Sequence, residues 1–235
     1  SPSSAASDVY KRQVQEELKK FLFENGVADV GFTCVDDGPF GEKSYAMSIV
    51  VKLSDAVIDE ITDEPTHSYF HHYRTVNAFI DRTLLQCGFI LEKHGYKYIP
   101  IGASQSVNKG GWNYCGRYSH KKIATLSGLG GIGKNCLFLH NKYGPRVRLG
   151  TLFTDCPFEI QTHEYFSPCI DCDLCEKACP SGAIRGKMWT VGMEREEFFD
   201  PEKCSTYMKK KFQHIGRGAV CGICMKVCPA GRENR

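Results

Sequence analysis

Seven cysteines in the last third of the chain have the type and spacing to do redox chemistry. They are Cys169, Cys172, Cys175 and Cys179-Pro180, answered by Cys221, Cys224 and Cys228-Pro229. The first run reads C-x2-C-x2-C-x3-C-P, and the second repeats its last three cysteines and its proline. In such a run three thiolates hold one [4Fe–4S] cube and the fourth reaches across to the other. The second run should begin at position 218, which is Gly218. Cys204, alone between the runs, stands in for the missing ligand. One cube then takes Cys169, Cys172, Cys175 and Cys228, and the other takes Cys179, Cys204, Cys221 and Cys224.

Other uses of these thiols fit less well. Zinc favours paired C-x2-C knuckles separated by a spacer, which close one tetrahedron from two hairpins. Three cysteines at successive three-residue steps instead wrap the corners of a cube. Disulfides need an oxidising compartment, and Ser1 to Asp8 has neither a basic start nor an apolar run of the signal-peptide kind. No apolar stretch approaches the roughly 18 residues of a membrane span. A soluble, cytoplasmic protein without a membrane partner is the expectation.

The elements that must position these cysteines divide into three stretches: a disordered 1–8, an α/β front domain over 9–160, and a double-cluster domain over 161–235. The formal charge of +3 counts thiols as neutral. Each oxidised cube with its thiolates carries about −2, so the loaded chain sits near −1. Whole-chain charge therefore gives no argument for nucleic acid. Lys209, Lys210, Lys211 and Arg217 form a local basic patch beside the cube ligands. It reads first as a solvated helix face and second as a dock for an anionic partner.

In the front domain a helix is predicted from Asp8, with Val14, Leu18, Phe21 and Leu22 on one face and Gly26 past its end. Val30 to Cys34 and Tyr45 to Leu53 read as strands, the second apolar enough to be buried on both faces. A long helix starts near His67 after Pro65. Its stripe is Phe70, Tyr73, Asn77, Ile80, Leu84, Cys87 and Leu91, and Gly95 closes it. Tyr96 to Ile101 reads as a strand and Ser119 to Ser127 as a helix, followed by a glycine turn and strands at Cys136 to His140 and Arg146 to Phe153. Helices and strands mix without strict alternation, so the fold class is α+β rather than a doubly wound sheet.

Gly128, Gly130 and Gly133 spell G-x-G-x-x-G, with Asp155 at the distance a dinucleotide fingerprint asks. The context is reversed, because this glycine run follows a helix and leads into a strand. What it offers is a loop whose backbone can approach a flat or anionic ligand, with Lys134 alongside; a tight packed turn is the plainer alternative. His71 and His72 are adjacent on the long helix and cannot face one metal. Cys34, Cys87, Cys136 and Cys156 read as small core residues. Cys115 lies in a loop with Gly110, Gly111, Trp112 and Tyr114.

Three segments together carry a family resemblance: Ser119-His120-Lys121, Gly128 to Asn135, and Tyr143-Gly144-Pro145-Arg146-Val147-Arg148-Leu149-Gly150 running on to Asp155. With the eight-cysteine array and Asp200-Pro201-Glu202-Lys203-Cys204, they resemble the epoxyqueuosine reductase family, whose layout reductive dehalogenases share. The resemblance runs from about Tyr69 to Pro229. It implies a nitroreductase-like α/β domain, a bacterial ferredoxin-like double-cluster domain, and a base-off cobalamin fed by the cubes. It further implies cofactor contacts at Ser119, His120, Gly128, Gly130, Gly131, Gly133 and Lys134, and an electron donor such as a ferredoxin or flavodoxin. No D-x-H-x-x-G occurs, in keeping with a base-off mode.

Two departures accompany it. The family's proton-donating Asp, about 14 residues before the glycine motif, is replaced here by Tyr114, and a phenol can also donate a proton. The chain ends six residues after Pro229, without the helical repeats some relatives carry. A short, divergent member is the expectation, with Tyr114 as the acid and a substrate other than the family's tRNA-linked one, tRNA being kept as the alternative. Three function classes follow: a corrinoid-dependent reductase, an electron-transfer protein without corrinoid, and an iron–sulfur redox sensor.

Overall fold

Fourteen elements are formed among residues 4–231, the stretch that the computed structural model describes apart from Lys109, Trp112 and Ala219. The front of the chain gives α1 (Ser4–Glu24), β1 (Asp29–Val35), β2 (Ser44–Lys52), α2 (Asp55–Asp59), α3 (His67–Lys93) and β3 (Tyr98–Ile101). Then come α4 (His120–Leu126), β4 (Gly130–Ile132), β5 (Phe138–His140) and β6 (Val147–Thr154). Four short helices carry the cysteines or flank them: α5 (Leu174–Ala178), α6 (Arg195–Phe198), α7 (Pro201–Lys211) and α8 (Ile223–Val227).

The first helix starts at Ser4 rather than Asp8, in a stretch where Ala5 and Ala6 favour helix. The expected disorder over 1–8 therefore gives way to helix from Ser4 onward, and positions 1–3 lie outside the described residues. α3 is capped by Thr66, whose side chain accepts from the backbone N–H of Tyr69. Its stripe is buried at Asn77, Ile80, Leu84, Cys87 and Leu91, while Phe70 and Tyr73 are only partly covered.

The main sheet has the order β1-β2-β6-β3, with every pair antiparallel. Central β2 is buried without a break from Ala46 to Val51, as a strand covered on both faces should be. One face takes α1 and α3, through Val14, Leu18, Leu22, Ile80 and Leu84. α4 and the β4–β5 hairpin lie against the sheet as well. There Val50, Ala124, Leu129, Phe138 and Leu149 pack around Phe198 of α6.

The cysteine-bearing segment shares the core of the front elements. Phe212, Val220, Ile223 and Met225 join the apolar cluster of α2 and α3. Arg146, buried to 2 % exposure, donates to the carboxylates of Asp55 at 3.1 Å and Asp59 at 2.7 Å. Lys226 of α8 donates to the Asp59 carbonyl at 2.7 Å. The Arg146 guanidinium, helped by Lys226, holds the Asp59 carboxyl down at about 2. Two glycines permit this docking. A Cβ on Gly131 would lie 2.4 Å from the Phe166 carbonyl oxygen. Gly144, in a left-handed turn at φ 55°, would place one 2.0 Å from that of Ala230.

Candidate functional site

Helices α5 and α8 pack against each other and carry Cys175 and Cys224. Each is followed at once by Cys-Pro, and a proline cannot continue a helix. The chain therefore turns after one short helix and brings its last cysteine, Cys179 or Cys228, toward the opposite group. The thiols divide in two. Burial pushes Cys228 up to about 11, and Cys169, Cys175 and Cys172 add to the rise. Burial likewise raises Cys175, with Cys169 and Cys172 as its thiol neighbours. These four line one small cavity together with Lys134 and Asn135.

In the second group burial pushes Cys204 up to about 12, with Cys221 and Cys179 as the nearest contributing thiols. Cys224 is raised as well, by burial first and then by Cys221, Cys204 and Cys179. Cys175 acts on it too, which marks where the groups adjoin. All thirteen cysteines are free of disulfides. Among the described residues no three His, Cys, Asp or Glu side chains converge as ligands of one metal ion. Thiols set at successive three-residue steps and gathered in fours suit the corners of two cubes. The thiols raised by burial resist ionisation, and binding a cluster would deprotonate them outright.

The end of the glycine turn touches both groups. Lys134 donates to the Asp171 carboxylate at 2.7 Å and to the Cys172 carbonyl at 3.1 Å. The Asn135 amide reaches the Cys224 carbonyl at 3.5 Å.

Beside the second group opens a cavity of about 1160 Å³, somewhat larger than most ligand sites. One wall is the loop over 102–106 and 114–119, another is α4, and a third is the stretch over 189–198. Cys136 lines it and lies near enough to Cys204 to help raise that thiol. The cavity thus adjoins the cube expected on Cys179, Cys204, Cys221 and Cys224.

Of the residues expected at a cofactor, the cavity wall holds Tyr114, Ser119 and His120. Gly128, Gly130, Gly131, Gly133 and Lys134 lie outside it. The glycines' tightness serves chain packing instead: Gly128 against the His163 ring, Gly130 against Leu139, Gly131 against the backbone at Phe166 and Ser167 that enters the cysteine segment. Tyr118 is at the rim, its hydroxyl donated to Asp37 at 2.6 Å and its ring edge-on to Phe153. Trp112 lies outside the described residues.

His120 is committed inside the protein. Its Nε2 lies 3.1 Å from the Gly102 carbonyl, which only accepts, so Nε2 carries the proton and Nδ1 accepts from the Thr151 hydroxyl at 2.8 Å. Burial lowers its pKa below the usual histidine value. A neutral imidazole with both nitrogens engaged is not offered to a metal. It fixes the cavity wall to β6.

Several wall residues were not among the site residues that the sequence nominated. Arg148 donates to Asn77 at 2.9 Å and lies over the Tyr73 ring at 4.5 Å. Lys121 reaches the carbonyl of Cys136 at 2.7 Å and its sulfur at 3.2 Å. Cys136 itself takes a left-handed φ of 60°. Tyr165 and Trp189 meet edge to face at 5.1 Å on the far wall. Arg195 of α6 faces the Tyr114 loop.

Comparison with known proteins bears on the cysteine segment first. Residues 168–231 match the family described as 4Fe-4S double cluster binding domain. An epoxyqueuosine reductase of Listeria monocytogenes is 31 % identical over 126 residues, covering 50 % of this chain and 31 % of that protein. A tetrachloroethene reductive dehalogenase of Desulfitobacterium hafniense is 26 % identical over 153 residues, covering 59 % of this chain and 24 % of the other. The chain thus spans about a third or less of the length of these curated relatives. A solved reductive dehalogenase, described with a mechanism for B12-dependent dehalogenation, superposes with TM-score 0.70 at 20 % identity, over 93 % of this chain and 31 % of that one. An epoxyqueuosine reductase solved with an epoxyqueuosine-modified tRNA stem loop gives TM-score 0.61 at 18 % identity, over 95 % and 67 %. The chain therefore carries a double [4Fe–4S] cluster domain within a mixed α/β fold similar to those of epoxyqueuosine reductases and reductive dehalogenases.

Proposed function

We propose that this chain is an iron–sulfur oxidoreductase whose cubes deliver electrons one at a time to a corrinoid-dependent reduction. The observation that carries the reading is the cavity of about 1160 Å³ beside Cys204. A protein that only relays electrons needs no such volume. The front elements correspond in this reading to a nitroreductase-like domain, over 9–160, and the cluster domain to 161–235. The first cube takes Cys169, Cys172, Cys175 and Cys228; the second takes Cys179, Cys204, Cys221 and Cys224 and faces the cavity.

The cavity fits a corrinoid by size, and the engaged nitrogens of His120 fit a base-off mode. Bound there, a corrinoid would supply a low-potential metal able to attack or reduce an electrophilic substrate. Ser119 and His120 form the wall against it, and α4 with the loop over 102–106 keeps bulk water from that side. Tyr114 supplies the proton from its phenol. A ferredoxin or flavodoxin serves as the electron donor. Similarity to the reductase solved with a tRNA stem loop brings in a tRNA-linked substrate, whereas Tyr114 at the acid position favours another electrophile.

The test is an anaerobic visible titration of the cluster-loaded chain with cobalamin. Binding of about one cobalamin per chain, with the spectrum moving to the base-off form, is expected. An unchanged spectrum with intact cubes would hand the function to electron transfer or redox sensing. Given binding, Tyr114→Phe should lower reduction of an aryl halide or epoxide probe by about 10²-fold or more, with cobalamin affinity nearly unchanged. Equal loss of both would make Tyr114 a shaping residue, and unchanged turnover would place the acid elsewhere.

A further inference from the structure

We propose that Arg195 is the positioning residue for Tyr114. The proposal rests on the reading above for what Tyr114 does, but not for how it is held. Arg195 opens α6 on the cavity wall opposite the Tyr114 loop. Its guanidinium donates from Nη1 to the Tyr114 carbonyl at 3.0 Å and from Nη2 to the Asn113 carbonyl at 3.1 Å. Nη1 also lies 3.5 Å from the Cys115 sulfur. Three consecutive residues of one wall are thus gripped by one side chain of another.

The grip is aimed from behind. Glu196 accepts from Nη2 at 2.6 Å and from Nε at 3.0 Å, which orients the guanidinium plane. α6 is itself firmly set. The Glu197 carboxylate accepts from the Glu194 backbone N–H at 2.9 Å as part of a capping box, and Phe198 is buried to 2 % exposure. The held residue needs holding. Tyr114 has a left-handed φ of 54°, which a bulky side chain adopts only when its surroundings impose it. Within the loop itself, the Val107 N–H donates to the Cys115 carbonyl at 2.8 Å, and the Cys115 N–H reaches Asn113 Oδ1 at 3.3 Å across Tyr114. The Tyr114 and Asn113 carbonyls are held by Arg195. Lysine could keep the charge at position 195 but could not span both carbonyls with a planar fork.

Two measurements test this on the full, cluster-loaded chain. The first is amide hydrogen exchange over 113–118 without cobalamin. Arg195→Gln should speed exchange there about tenfold or more while leaving α3 and α7 unchanged, with Arg195→Lys in between. Unchanged exchange at 113–118 would overturn the proposal, and so would loosening spread across α7. If Arg195→Gln fails to fold, Glu196→Gln is put through the same comparison, with a smaller rise expected. The second is a double-mutant cycle on turnover of the aryl halide or epoxide probe. Arg195→Gln should cost about tenfold alone and less than about twofold in a Tyr114→Phe background, because it acts through that phenol. Additive losses would overturn it. A chain that binds no cobalamin would sink the corrinoid reading while the exchange result still decides the role of Arg195.

Discussion

His120 shows how one side chain can serve a site without reacting in it. A family resemblance nominates it as a cofactor contact, and the structure places it on the cavity wall with both nitrogens engaged. Burial lowers its pKa, so the folded protein holds it neutral where the unfolded chain would bind a proton. The unfolded state then takes up more protons below the ordinary histidine pKa of about 6.5, and stability falls with pH through that range. Wild type should therefore lose thermal stability on going from about pH 7.5 to 5.5, and His120→Gln should lose less over the same interval. Equal losses, measured by circular dichroism at both pH values, would show that His120 titrates alike in both states. The pairing itself was not legible in the sequence, because Thr151 and Gly102 lie on strands and turns that meet His120 only after the chain folds.

At the scale of elements, the long periodic segments were readable, as were the short strands β1, β3 and β5 and the helix α4 of the front domain, and the helices of four or five residues were not. α3, β2 and β6 appear within a residue or two of their expected bounds, since burial on a helix stripe or on both strand faces leaves a strong pattern. The short helices α2, α5, α6 and α8 leave none, because four or five residues make little more than one turn and no stripe can repeat. The glycine turn was readable as tight but not as to its purpose. Its glycines face protein: Gly131 admits the backbone of Phe166 and Ser167 at a distance that excludes a Cβ. Gly131→Ala should destabilise the protein by about 1–3 kcal/mol, the usual cost of overpacking, because the obstacle is backbone that cannot rotate away. A melt showing no loss would mean that the cysteine segment does not press on the hairpin. Cluster content after mild heating would fall alongside.

For the whole molecule, the cysteine ledger predicts composition. Eight cysteines in two groups of four imply about eight iron and eight acid-labile sulfide per chain after anaerobic reconstitution. Cys204→Ala should retain about half of each. One zinc and no labile sulfide would end the argument, and loss of both cubes from Cys204→Ala would mean that the groups assemble only together. The shared core favours partial retention. Cys169, Cys172, Cys175 and Cys228 are anchored by Lys134 and the glycine hairpin, whereas Cys204 hangs on α7, whose start is capped separately by Asp200.

By itself the sequence determined the iron–sulfur domain, because covalent spacing along the chain decides which thiols can reach one cube. It likewise determined the α+β class and the long elements, whose burial repeats with a local period. Only the tertiary structure decided the rest. The cavity is bounded by residues 102–106, α4 and 189–198, which no periodicity joins. That the resembling glycines pack inward, that Cys136 links the cavity to Cys204, and that Arg195 reaches Tyr114 from 81 residues away are all long-range contacts. Such contacts depend on how layers dock, and layer docking is written in the sum of the core rather than in any local motif.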